Sequence, residues 1–133
     1  MVSELISHYD CENFFDEVLK LDENIRYVAI YDGQYHAKLR DGIQRYFTDE
    51  EIKASLSEAQ NRWGFRKKIS LKIGAPIFAM AQYAKVNRIT FPLGNEAVIL
   101  VTTELDVDID KLVDEIIEIR YPLNNKVTGR YTR

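Results

Sequence analysis

Between Thr48 and Gly74 the apolar residues trace two stripes on what reads as one long helix. Ile52, Leu56, Ala59 and Trp63 recur at steps of four, three and four, the spacing of a single helical face. Beyond Gly64 the stripe moves, because Phe65, Ile69 and Ile73 fall roughly 120° round the cylinder at about 100° per residue. Thr48-Asp49-Glu50-Glu51 has the form of a capping box, and Gly74 with Pro76 supplies the stop. A helix with two apolar faces needs two surfaces to pack against.

The pattern before it predicts a helix over Ser3–Leu21, with Leu5, Ile6, Tyr9, Phe14, Val18 and Leu19 on a loose band. Ile25–Asp32 then reads as a strand apolar on both faces, hence central and covered from both sides. Asp32-Gly33 is a hairpin signal. The return strand, Gln34–Arg40, alternates Tyr35, Ala37 and Leu39 inward with His36, Lys38 and Arg40 outward, as an edge strand does.

After the long helix the pattern predicts three more strands, Ile77–Ala84, Arg88–Leu93 and Glu96–Thr103, joined by tight turns at Lys85-Val86-Asn87 and Gly94-Asn95. Ala97–Val101 is again apolar on both faces. Asp106 or Asp108 caps a last helix carrying Ile109, Leu112, Val113, Ile116 and Ile117, with its stop at Pro122. The order α-β-β-α-β-β-β-α implies an α+β fold: a five-stranded antiparallel sheet with helices on both faces. The expected core is Val28, Ile30, Leu56, Trp63, Ile99, Val101, Leu112 and Ile116.

Length and composition narrow this picture without changing it. The 133 residues fit one domain, placed at 1–122, with 123–133 expected as a flexible basic tail bearing Lys126, Arg130 and Arg133. A net charge of −3 gives no general attraction to nucleic acid or to an anionic membrane. No apolar run approaches a transmembrane span, Met1-Val2-Ser3-Glu4 does not open a secretory signal, and the lone Cys11 suits a reducing cytoplasm.

Catalytic chemistry is hard to assemble from these residues. One cysteine and two histidines, His8 and His36, fall short of the four ligands of a structural zinc site, so no metal, cofactor or catalytic residue is expected. His36 reads as a solvated histidine on an edge strand. Asp49, Glu50 and Glu51 are explained by the helix N-terminus, and no glycine-rich phosphate loop occurs. The basic run Arg62, Arg66, Lys67, Lys68 and Lys72 suits a helix C-terminus and doubles as a candidate patch for an acidic partner surface or a nucleic-acid backbone.

Element order, with Val28-Ala29-Ile30-Tyr31-Asp32-Gly33 and Glu96–Glu118 as local matches, resembles the roadblock/light-chain-7 family, related to longin and profilin folds. It is also similar to small archaeal proteins of the same pattern. The resemblance implies a sheet order 2-1-5-4-3 and a non-catalytic homodimer that serves as a platform for small Ras-like GTPases or motor complexes. The third strand is free of charge and would lie at an edge, which needs covering. The expected dimer interface is therefore Phe65, Ile69, Ile73, Ile77, Phe78, Ala79, Met80, Ala81, Gln82 and Tyr83. The alternative reading is a small-molecule sensor of PAS-like type, with Tyr27, Tyr31, Phe91 and Trp63 lining a cavity between sheet and helix.

Overall fold

Every residue of Ala97–Thr103 is buried, and that strand sits at the centre of the sheet. The structure, a computed structural model, describes residues 6–128. Its elements are α1 (His8–Leu19), β1 (Ile25–Tyr31), β2 (Tyr35–Leu39), α2 (Asp49–Ile73), β3 (Ala79–Gln82), β4 (Asn87–Leu93), β5 (Ala97–Thr103) and α3 (Ile109–Thr128). The strands form one sheet in the order β2-β1-β5-β4-β3, with antiparallel neighbours throughout. This is the expected α+β architecture.

Two apolar cores lie on opposite faces of the sheet, as two-sided strands require. On one face Phe14, Phe15 and Val18 of α1 and Leu112, Val113 and Ile116 of α3 pack on Ile25, Val28, Ile30, Ile89, Phe91, Ile99 and Val101. On the other, Ile52, Leu56, Ala59 and Trp63 of α2 pack on Tyr27, Ala29, Val98 and Leu100. All eight expected core residues are buried. Cys11 is fully buried in the first core, and burial pushes its thiol up to about 12.

Several boundaries differ from the sequence expectation. α1 starts at His8 because Ser7 caps it, its Oγ accepting from the Asp10 N–H at 3.1 Å, while the Ile6 N–H donates to Asp32 Oδ2 at 2.9 Å. Residues 3–5 lie outside the described residues. β3 is only four residues long, so Ile77 and Phe78 precede it. The hairpin loop is Asp32-Gly33-Gln34, with Asp32 Oδ1 accepting from the Gln34 N–H and Gly33 at φ 103°.

α3 does not stop at Pro122 but continues to Thr128. A proline inside a helix costs about 3 kcal/mol. Here the next turn is tied down: Leu123 is buried in the first core, Asn124 Oδ1 accepts from the Gly94 N–H at 2.7 Å, and Lys126 pairs with Asp10 at 2.8 Å. The helical part of 123–128 thus departs from the expected flexible tail, and 129–133 lie outside the described residues.

The outward face expected for β2 is in fact covered by α1. Lys38 pairs with Asp16 at 2.6 Å, and Arg40 donates to the carbonyls of Leu19, Asp22 and Ile25. His36 is not solvated either: its side chain is 14% exposed, with Nε2 3.7 Å from Asp32 Oδ1. Lys38 and Arg40 bridge to the helix above them and His36 lies against Asp32 of the hairpin, whereas a strand pattern alone reads all three as facing water.

Leu56 is fully buried between α2 and the sheet, so Leu56→Ala is expected to cost about 2–5 kcal/mol in denaturant unfolding.

Candidate interaction surface

The capping box that starts α2 is formed in full, with Thr48 Oγ1 accepting from the Glu51 N–H and Glu51 Oε1 from the Thr48 N–H. The helix then runs for 25 residues without a break at Gly64. At 1.5 Å per residue it is about 37 Å long, whereas five strands about 4.8 Å apart span roughly 20 Å. α2 therefore outruns the sheet it covers. Its last buried residue is Trp63, whose Nε1 donates to Thr90 Oγ1 of β4 at 3.0 Å.

From Gly64 to Lys85 no residue is buried. This stretch holds the second half of α2, the connection and all of β3. Its exposed apolar side chains include Phe65 at 66%, Leu71 at 94%, Ile73 at 78%, Ile69, Ile77, Phe78, Met80 and Tyr83. β3 pairs only with β4, so its other edge offers free backbone donors and acceptors.

An open groove of about 950 Å³ runs between α2 and the β3 edge. Glu51, Ala54, Ser55, Glu58, Arg62 and Arg66 form its helical wall, and Ala79, Met80, Ala81 and Tyr83 its strand wall. At about 100° per residue, Glu51, Glu58, Arg62, Phe65, Ile69 and Ile73 fall within an arc of about 80° on α2. The stripe that follows Gly64 thus continues along the flank that walls the groove.

Beside the groove, under the loop between β2 and α2, lies a far smaller recess of about 20 Å³ lined in part by Arg26, Tyr27, Arg45, Arg88 and Thr102. Arg26 is buried at a bulge in β1, where its register with β5 shifts. There it pairs with Glu104 at 2.8 Å, donates to the Gln44 carbonyl and stacks 4.7 Å from the centre of the Tyr46 ring. Among the described residues no group of three or more His, Cys, Asp or Glu side chains could hold a metal ion.

No family model matches the sequence, and no curated protein matches it. Solved structures do match. The roadblock/LC7 domain from Streptomyces avermitilis superposes with a TM-score of 0.66 at 8% identity, over 85% of this chain and 93% of that one. Myxococcus xanthus MglB gives 0.69 at 13% identity, over 90% and 96% of the two chains. An MglB with a tetrameric arrangement gives 0.70 at 13% identity, over 97% and 95%. The fold is roadblock-like.

Within this roadblock-like fold the residues singled out from sequence are sorted by geometry. Arg62 and Arg66 wall the groove, Arg62 paired with Glu58 at 3.4 Å and Arg66 stacked 5.0 Å from the Trp63 ring. Lys67 points elsewhere: its Nζ donates to the Asn95 carbonyl at the β4–β5 turn, and burial draws its ammonium below the ordinary value. Lys68 and Lys72 are exposed. Phe78 reaches back to Phe91, with ring centres 6.3 Å apart.

The four aromatics of the sensor reading do not share a cavity. Tyr27, Tyr31 and Trp63 belong to the core between α2 and the sheet, but Phe91 lies in the opposite core. The recess beside Tyr27, about 20 Å³, holds about one water. Sequence reasoning missed Tyr46 and Phe47, which line both groove and recess, and the buried Arg26. Arg26 did leave a signal, as the one charge inside the apolar strand Ile25–Tyr31. Leu71 was missed because it lies on neither stripe.

Gly64 is helical, exposed and has open space where a Cβ would stand. Gly64→Ala is expected to raise the unfolding free energy by roughly 0.5–1 kcal/mol in a urea titration.

Proposed function

We propose that this chain is a non-catalytic, cytoplasmic, homodimeric interaction module whose assembled surface docks a small Ras-like GTPase. The observation that carries the reading is the stretch from Gly64 to Lys85. It contains no buried residue, yet it aligns an apolar helical stripe with an uncharged, unpaired sheet edge. Exposed apolar surface on this scale marks an interface. One two-fold axis beside β3 would join strand to strand and helix to helix, using the same patch on both copies.

Charge supports an antiparallel pairing of α2 with its copy. The first half of α2 carries Asp49, Glu50, Glu51 and Glu58, and the second half carries Arg62, Arg66, Lys67, Lys68 and Lys72. Antiparallel contact sets acid against base at both ends and opposes the two helix dipoles. The small residues Ala54 and Ser55 on the groove wall leave room for Phe65 or Ile69 of a second copy. One of the similar structures, an MglB, has a tetrameric arrangement, which is in keeping with self-association. The GTPase as partner rests on the resemblance to roadblock proteins, with Lys68 and Lys72 as exposed cations for its acidic surface.

Light scattering after size exclusion is expected to give a dimer at tens of micromolar, and Met80→Lys or Ile69→Lys a folded monomer. A wild-type monomer, or a Met80→Lys variant that stays dimeric, rules out this interface. The purified chain is expected to turn over no nucleotide. Pulldown from native extract should recover a small GTPase, and recovery of nucleic acid or a small ligand instead overturns the partner assignment.

A further inference from the structure

We propose that the recess under the loop between β2 and α2 binds a single halide ion. The site does not depend on dimerisation or on any GTPase. Arg88, Thr102 and Tyr27 stand in one row across β4, β5 and β1, since Arg88 pairs in register with Thr102 and Thr102 with Tyr27. All three line the recess.

Two observations point to a ligand there. The first is a pair of orphaned hydroxyls. Tyr27 is 6% exposed and Thr102 2%; their hydroxyls lie beside each other in a loose hydrogen-bonding contact, and neither makes a hydrogen bond of normal geometry or reaches another partner among the described residues. A buried hydroxyl without a partner is costly. The second is an unbalanced charge. Of the three guanidinium groups lining the recess, Arg26 is neutralised by Glu104 and Arg45 by Asp49. Arg88 donates to Ser55 Oγ, a neutral partner, and among the described residues it has no ion pair.

The arrangement therefore offers one uncompensated cation and two hydroxyl donors beside the apolar side chains of Leu39, Ile43 and Ile52. Water could bridge the hydroxyls, but only an anion also balances Arg88. The space of about 20 Å³ admits a single halide and excludes a carboxylate, a phosphate or a nucleotide.

The test uses the full chain. Melting temperatures are compared in sodium chloride and sodium gluconate at equal ionic strength, gluconate being too large to enter. At a tenfold excess over its Kd, the binding anion is expected to raise Tm by roughly 5 °C over gluconate. The near-isosteric pair Tyr27→Phe with Thr102→Val should abolish that rise. A rise in chloride that the double variant loses assigns the halide site. Equal melting in both salts, or a rise the double variant keeps, overturns the proposal. If the double variant does not fold, crystals of the wild type grown in sodium bromide decide: an anomalous peak beside Arg88 supports the site, and a water only overturns it.

Discussion

A strand with apolar side chains on both faces can be stable only if something covers each face. β5, buried along its whole length beside β1, imposes that requirement on the molecule. Packing α1 and α3 on one side and α2 on the other satisfies it, and the antiparallel order follows from the short connections within each meander. The layer of α1 and α3 uses two helices to cover its face. The opposite layer uses one, which crosses the sheet and then continues past it. The surplus of helix is what leaves apolar surface in water.

The same asymmetry separates the two ends of the sheet. At the β2 edge, Lys38 and Arg40 tie the strand to α1, and each polar contact is made within the subunit. At the β3 edge nothing in the described chain closes the ladder. Charged side chains protect one border, while small and apolar ones line the other. Such a contrast is how a protein directs association to one place and away from another.

Much of this was legible in the sequence because periodicity reports burial. The two-sided strands, the capping box at Thr48 and the stripe through Trp63 each encode their partner surface locally, and the strand order came with the family resemblance. What was not legible depends on contacts distant in the chain. Pro122 stops an isolated helix, yet Leu123 and Asn124 gain partners nearly thirty residues or more away that keep the turn helical. His36 and Arg40 look solvent-facing in an alternating strand because alternation cannot reveal a helix lying over the polar side. Of the candidate surface, the residues on α2 and β3 were readable as unpartnered apolar positions. The groove between them and the recess beyond needed three dimensions.

At the turn between β4 and β5 both helical layers grip the same few residues. Asn124 of α3 holds the Gly94 N–H, while Lys67 and Gln60 of α2 hold the carbonyls of Asn95 and Glu96. Gln60 and Lys67 flank Trp63, the point where α2 leaves the sheet. The turn thus works as a mechanical linkage: the overhanging part of α2 cannot tilt without straining or releasing bonds that adjoin the anchor of the last helix. The overhanging helix and the last helix share an anchor of three consecutive residues on the rim of the sheet.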